Sequence, residues 1–210
     1  LSEHRFAYPF PDYKFPEVIV SEQALTGPNA AKYSDLIAGG IASDRQRPSR
    51  PSFRISRVVG PVVRNGLGPD LANSFLVICS KSEGTLGNAL AGGATYFGNG
   101  DRKKPYLKTV EFDEREDGLH VSRRRLIDSS PPPNDSVIQV LEDELFVEGV
   151  HWGNKLQDVL LRKNWKLDDI EEWARVWLGA FKTKADIPPS AALTADTEID
   201  GFLLDAIPKN

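Results

Sequence analysis

The chain has 210 residues and carries 26 basic against 30 acidic side chains, a net charge of −4. This length is enough for a substantial hydrophobic core in one or two domains, and the balanced charge argues against a general nucleic-acid or polyanion binder. No apolar run approaches the roughly 18 residues that span a bilayer, so we expect no transmembrane segment.

The single cysteine, Cys79, lies in an apolar run, which predicts a small buried side chain. One cysteine gives no disulfide framework and fits a reducing compartment. The sequence has no Met and no basic-then-apolar leader, and it stops at Asn210 shortly after an apolar stretch. Both ends are therefore interpreted as cut points in a longer protein.

Aromatic residues and prolines alternate in the segment from Phe6 to Val20, FAYPFPDYKFPEVIV. Its three prolines argue against a helix and against a central strand. The segment therefore predicts an extended edge that ends in the strand Glu17–Val20. An aromatic-proline loop packed on a core is the alternative.

The run Tyr8–Pro16 resembles the closing strands of class I S-adenosylmethionine methyltransferase domains from bacterial surface-polysaccharide loci, the O-antigen type among them. In some of those proteins a kinase-like domain follows the methyltransferase. The resemblance implies that residues 1–25 end a methyltransferase-like domain. It also implies that S-adenosylmethionine binds in the missing N-terminal part.

Residues 26–54 are predicted to form a helix and a basic linker. Apolar spacing over Asn29–Ile41 predicts a short amphipathic helix, with Asn29 as its cap and Gly39-Gly40 as its stop. Four arginines and two prolines in Ser43–Arg54 predict the linker, with contact to an anionic partner as the alternative. A domain boundary is expected between residues 21 and 55.

Residues 55–149 are predicted to form a β-rich lobe. Ile55–Val63 predicts a strand broken at Gly60-Pro61, and Ser74–Cys79 predicts a buried strand after one helical turn at Pro69–Asn73. The glycine-rich stretch Ser80–Gly100 matches neither common phosphate-binding motif. A flexible turn and an irregular nucleotide loop both remain open for it.

The strongest hairpin signal joins the β-rich runs Tyr106–Phe112 and Leu119–Leu126 through a polar turn. Alternation along the second run places Arg123 on one face of the strand and Arg124 on the other. The acidic-interrupted stretch Val137–Gly149 predicts a strand pair or a bulged strand.

Residues 150–210 are predicted to form a helical lobe, with helices over His151–Leu161 and Leu167–Phe181. The second helix carries a continuous apolar stripe, interpreted as core, with an aromatic ligand platform as the alternative. The stripe comprises Leu167, Ile170, Trp173, Trp177 and Phe181.

The last six residues read Asp205-Ala206-Ile207-Pro208-Lys209-Asn210. A carboxylate and an amide at this spacing suit phosphoryl transfer, since the carboxylate orients the attacking hydroxyl and the amide oxygen holds a metal over the phosphates. A strand end followed by a proline turn is the alternative.

The pattern Asp-x-x-Pro-x-Asn resembles the catalytic loop of protein kinases and of kinases of the aminoglycoside-phosphotransferase type. The resemblance implies that Asp205 is the catalytic base and that Asn210 holds Mg²⁺. It puts Arg123 or Arg124 in the place of the lysine that grips the phosphates of ATP. It also implies a hinge at Glu148, where adenine meets backbone groups.

Together these patterns predict an α+β, kinase-like fold: a β-rich small lobe at 55–149, then helices at 150–210, with a short N-terminal remnant of an α/β methyltransferase domain. We expect a fragment of a transferase for bacterial surface-glycan biosynthesis or modification, acting on a glycan or sugar-containing substrate with ATP and Mg²⁺. The alternatives are a non-catalytic kinase-like binding module and a substrate-recognition extension of a methyltransferase or glycosyltransferase. The resemblance implies a cytoplasmic location, free or peripheral to the inner membrane.

Overall fold

The chain folds as a mixed α+β protein, which confirms the coarse fold class expected from the sequence. It forms two compact units, Leu1–Val147 and Glu148–Asn210. In the described ranges no helix is long and apolar enough to cross a membrane. The structure is a computed structural model that describes residues 2–46, 48, 53–87, 92–98, 102–128, 139, 141–203, 206 and 208.

The first unit is built on an antiparallel sheet that has seven strands in the part of the chain described. In chain order the strands are β1 (Glu3–Phe10), β2 (Val18–Ser21), β3 (Leu76–Ser80), β4 (Ala94–Phe97), β5 (Lys108–Arg115), β6 (Gly118–Arg125) and β7 (Glu144–Leu145). Across the sheet their order is β3-β1-β2-β4-β5-β6-β7. Strands from residues 1–25 and strands from residues 55–149 therefore share one sheet.

Three helices contribute to the core of this unit: α1 (Glu22–Thr26), α2 (Ser34–Ala42) and α3 (Ile55–Arg64). The side chain of Ser21 caps α1 by accepting a hydrogen bond from the backbone N of Ala24 at 3.1 Å. Helices and strands together bury an apolar cluster that includes Phe10, Val18, Val20, Leu25, Tyr33, Ile37, Val59, Val63 and Leu119.

The proline-rich segment from Phe6 to Val20 begins in β1, which is an interior strand of the sheet. The prediction that this segment lies at an edge of the sheet is therefore wrong. β1 pairs with β2 on one side and with β3 on the other. The ladder to β3 ends at Ala7, two residues before Pro9. No residue of β3 therefore lies opposite Pro9. The N–H that proline lacks is not needed for pairing there, so the sheet tolerates proline at this position.

The stretch predicted as a broken strand at Ile55–Val63 is helix α3. Its valines recur at helical spacing, and Val59 and Val63 are buried in the core cluster. Pro61 lies inside the helix but is exposed. Burial of one helical face thus outweighs the β preference of the valines and the hydrogen bond that proline removes.

The helix predicted over Asn29–Ile41 is a 3₁₀ turn, Ala30–Tyr33, followed by α2. Gly39-Gly40 does not stop it, because α2 continues to Ala42. Gly40 is needed inside the helix: a Cβ there would lie 3.0 Å from the Cβ of Phe10. Glycine at this position lets α2 approach the sheet closely. In the sequence the same glycine indicates the end of a helix, so its packing role is not predicted.

Strand β3 is an edge strand rather than a buried one, and Cys79 is exposed. Both predictions for this stretch are therefore wrong. Among the described residues β3 pairs with β1 alone, and its residues alternate between partly buried and exposed. Apolar character indicates a strand here but does not distinguish an edge from the centre of a sheet.

The predicted hairpin is confirmed as β5 paired with β6 over eight residue pairs. Its turn is shorter than the polar run that signals it, with Glu116 and Asp117 between the strands. Beyond the hairpin, β7 pairs with β6. Most of the predicted piece at 137–141 lies outside the described residues.

The second unit contains α4 (Trp152–Leu160) and α5 (Leu167–Lys184), which confirms both predicted helices. Trp173 and Trp177 are stacked at 6.5 Å between ring centroids, and the indole N–H of Trp173 donates to the carbonyl of Trp152 at 3.1 Å. The stripe is only half-buried, since α5 has no fully buried residue.

Two glycines give a matched test of this fold. Gly93 has φ +81°, and a Cβ there would lie 1.5 Å from the carbonyl oxygen of Phe112. Gly93→Ala should lower the free energy of unfolding by at least about 2 kcal/mol, because the backbone is strained and β5 must shift. Urea unfolding followed by tryptophan fluorescence and far-UV circular dichroism measures this.

Gly39 is the control, because it lies inside α2 with no atom within 4 Å of a Cβ placed there. Gly39→Ala should raise the free energy of unfolding by about 0.5–1 kcal/mol through helix propensity. Equal effects of the two substitutions would contradict the close approach of β4 and β5 at Gly93.

Candidate ligand-binding cleft

The two arginines expected to steady phosphates lie on opposite faces of β6. Cross-strand pairing puts Arg123 opposite Val110 and Arg124 opposite Thr109. Neighbouring positions of a strand point to opposite faces, so a phosphate on one face of the sheet meets one of these arginines and not both.

Each of these arginines already pairs with a carboxylate. Arg123 forms an ion pair with Glu144 and donates to the carbonyl of Glu142 at 3.3 Å. The Nε of Arg124 lies 3.2 Å from Glu111. These contacts compete with a phosphate for the guanidinium donors, and the phosphate-binding role of either arginine stays a prediction.

The other predicted site residues belong to the second unit. Glu148 is exposed at its start, while Asp205 and Asn210 lie outside the described residues. Between them in sequence, the carbonyl of Pro208 accepts a hydrogen bond from the backbone N of Gly153 at 2.6 Å. This bond attaches the proline of the Asp-x-x-Pro-x-Asn segment to the first turn of α4.

No metal site is evident in the described ranges, where no three His, Cys, Asp or Glu side chains are grouped to hold an ion.

A polar cluster occupies the turn end of the β5–β6 hairpin. Nε2 of His120 lies 2.9 Å from an Asp117 oxygen, and Arg115 approaches Nδ1 of the same ring at 3.3 Å. Because arginine only donates, Nδ1 accepts and Nε2 carries the hydrogen that is donated to Asp117. This hydrogen bond is the main reason that the pKa of Asp117 is lowered from its usual 3.8.

The structure also forms an open cleft that the sequence patterns do not indicate. Its volume is about 470 Å³. It lies where the β1–β2 connection, the chain after α2 and the end of β4 meet. Its lining comprises Asp12, Lys14, Phe15, Pro16, Glu17, Ser43, Asp44, Arg45, Gln46, Phe97 and Gly98.

Phe15 is the most prominent side chain of the cleft and is 67% exposed. An oxygen of Asp12 accepts hydrogen bonds from the backbone N of Lys14 at 2.7 Å and of Phe15 at 3.2 Å. This Asx turn fixes the backbone that presents the ring. The guanidinium of Arg45 lies 5.3 Å from the ring centroid, within cation–π range.

Two backbone hydrogen bonds connect the lining of the cleft to the sheet. The backbone N of Glu17 donates to the carbonyl of Phe10 at 2.8 Å, and the backbone N of Phe97 donates to the carbonyl of Glu17 at 2.8 Å. These bonds hold the Glu17 end of the segment 12–17 to β1 and β4. The exposed residues 13–15 lie just before this anchored end.

Three separate pieces of sequence build this site: residues 12–17, residues 43–46 and Phe97-Gly98. The sequence patterns predict an extended segment for the first piece and a basic linker for the second. Contact with an anionic partner is the alternative for the second piece, to which Arg45 belongs. No periodicity or spacing in the chain indicates that residues 12–17 and 43–46 lie side by side.

Comparisons of the chain with protein-family models, curated proteins and solved structures found no match.

Asp117 gives a pH-dependent test of the polar cluster. Because its folded pKa is lowered, the ionised carboxylate stabilises the fold above the unfolded pKa, and this stabilisation disappears as the pH falls through the folded value. Asp117→Asn should therefore destabilise the protein at pH 7 and have a diminishing effect below about pH 4, close to the usual value of 3.8. Urea unfolding over a pH series measures the difference.

Asp128→Asn serves as the control, because Asp128 is exposed after β6 and forms no hydrogen bond or ion pair with another described residue. It should leave stability unchanged across the series. His120→Phe removes the donor, and if NMR shows that the lowered pKa of Asp117 is unchanged in this variant, the hydrogen bond is not the cause of the lowering.

Proposed function

We propose that residues 2–147 act as a non-catalytic glycan-recognition module, which binds a sugar of the substrate in the Phe15 cleft of a bacterial surface-glycan transferase. The observation that carries this proposal is an exposed aromatic ring, presented by an Asx turn, in an open cleft with polar and charged walls. The wider setting, surface-glycan assembly, rests on the resemblance of the run Tyr8–Pro16.

The chemistry of the lining suits a sugar. A pyranose ring has an apolar C–H face, which packs on an aromatic ring, and hydroxyl groups around its edge that donate and accept hydrogen bonds. Phe15 supplies the aromatic face. Glu17 supplies acceptor oxygens, and the Gln46 amide supplies both donors and an acceptor.

Size and energy agree with a ligand of this kind. A volume of about 470 Å³ lies within the roughly 300–1,000 Å³ range of small-molecule sites. Covering a large apolar side chain such as Phe15 is worth about 1.5–3 kcal/mol. Loss of that contact corresponds to about tenfold to a hundredfold in affinity.

Phe15→Ala tests the proposal directly. The protein is first screened on an array of bacterial surface oligosaccharides, and the tightest binder is then titrated by calorimetry. Phe15→Ala should weaken binding about tenfold or more without changing the unfolding midpoint. Phe75→Ala is the control, since Phe75 is 62% exposed but does not line the cleft.

Two results would contradict glycan recognition in this cleft. One is the absence of any array signal for the wild-type protein. The other is equal affinity of the wild-type and Phe15→Ala proteins.

Phosphoryl transfer is a second candidate, which rests on the resemblance of the Asp-x-x-Pro-x-Asn segment to kinase catalytic loops. In this proposal Asp205 orients the hydroxyl of a sugar and Asn210 would hold Mg²⁺. An oxygen of Asp205 would accept the hydroxyl proton as the new O–P bond forms and the bond from the γ-phosphorus of ATP to its bridging oxygen breaks, which releases ADP. Arg123 and Arg124 already form ion pairs within the first unit and are given no part in it.

Asp205→Asn in the full protein should abolish ATP-dependent transfer, because the amide cannot act as a base, and leave the thermal unfolding midpoint unchanged. Transfer is measured by ³²P incorporation into the glycan acceptor. Asp200→Asn, five residues earlier, is the control and should retain activity. Full activity of Asp205→Asn would end this proposal and leave the glycan-recognition module standing.

A further inference from the structure

We infer that the ligand of the Phe15 cleft is an acidic sugar, whose carboxylate or phosphate group is bound by Lys14 and Arg45. This inference rests on the proposed glycan-binding function and names the class of sugar. It follows from which charged groups of the cleft already have partners and which do not.

Two of the three cleft carboxylates are occupied by their own loops. Asp12 accepts two backbone N–H groups at 2.7 and 3.2 Å. Asp44 accepts the backbone N–H of Gln46 at 2.8 Å. Such bonds hold a carboxylate in its turn and partly compensate its charge. Glu17 is the third, and its carboxylate remains available to sugar hydroxyls.

The two cations have no such compensation. Neither Lys14 nor Arg45 forms an ion pair with any carboxylate in the part of the chain described. Both cations lie close to aromatic rings: the Nζ of Lys14 lies 5.8 Å from the Tyr13 ring, and Arg45 lies over the Phe15 ring. Contacts with ring faces leave the N–H donors free to bind an anion.

Three arginines of the β5–β6 hairpin show the contrast, since Arg115, Arg123 and Arg124 each lie within ion-pair distance of a carboxylate. The lining of the cleft carries three carboxylates and two cations. Lys14 and Arg45 have no carboxylate partner among the described residues, so their N–H donors are available to the acidic group of a ligand.

The available cations lie close to the aromatic ring of Phe15. The Arg45 guanidinium lies 5.3 Å from the centroid of Phe15. An acidic substituent on a sugar that packs against this ring is thus within reach of a planar fork that binds carboxylate or phosphate through two parallel hydrogen bonds. Lys14, the residue before Phe15, adds a point charge on the same lining segment.

The test uses matched sugars. An array displays neutral, carboxylated and phosphorylated forms of the same oligosaccharides. For the oligosaccharide that binds tightest, all three forms are then titrated by calorimetry at low and at physiological salt. We expect an acidic form to bind at least about tenfold tighter than its neutral form, with the difference shrinking as salt rises. The better of the two acidic forms identifies carboxylate or phosphate as the group recognised.

Variants assign the effect to residues. Arg45→Gln and Lys14→Gln should each reduce the preference for the acidic form several-fold and leave binding of the neutral form unchanged. Arg54→Gln and Lys81→Gln are the controls, because both residues are exposed and neither lines the cleft. They should retain the full preference.

The outcomes separate the two proposals. Equal binding of acidic and neutral forms overturns the acidic-sugar inference and leaves glycan recognition intact. Inorganic phosphate that binds as tightly as every sugar overturns both, because the cleft would then recognise an anion without a sugar. No binding of any array member also overturns both.

Discussion

The close approach of α2 to the sheet is the constraint on which the first unit and its cleft depend. A Cβ on Gly40 would lie 3.0 Å from the Cβ of Phe10 and 3.5 Å from a methyl group of Val18, so this side of the helix has no room for a side chain. Phe10 and Val18 lie opposite each other in β1 and β2. The contact therefore holds the end of α2 against the β1–β2 connection. Because residues 43–46 follow α2, the same contact brings Arg45 beside Phe15.

A second contact ties the helical layer to the hairpin. Tyr33 is fully buried, its ring meets Phe112 edge-to-face at 6.4 Å, and its hydroxyl donates to Glu114 at 3.4 Å. The same carboxylate accepts from Asn29 at 3.3 Å. Burial, and then the charge of Glu114, raise the pKa of Tyr33. The raised pKa keeps the phenol protonated, and therefore a hydrogen-bond donor, at neutral pH.

The sequence predicts the elements that local periodicity determines. The β5–β6 hairpin and helix α5 are confirmed, since each carries its own period over many residues. Helix α3 is not predicted, because valine favours strands and only the burial of Val59 and Val63 against the other helices selects the helix. The edge position of β3 escapes prediction for the same reason: pairing partners distant in sequence decide it. The cleft escapes prediction most completely, because its three lining segments meet only through tertiary packing.

Charge pairing on β6 follows strand register, and this separates two kinds of arginine in the first unit. On β6, Arg123 and Arg124 each lie diagonal to a carboxylate of a neighbouring strand, since Glu144 pairs with Val121 and Glu111 pairs with Ser122. Neighbours at this distance lie within reach of long side chains, so the sheet itself supplies the partner. Arg45 lies after the end of α2, where no ladder places a carboxylate opposite it. A basic residue in a strand therefore says little about ligand binding, because a carboxylate of the neighbouring strand can neutralise it. A basic residue beside an aromatic ring at the rim of a sheet, as Arg45 is, keeps its donors for a ligand.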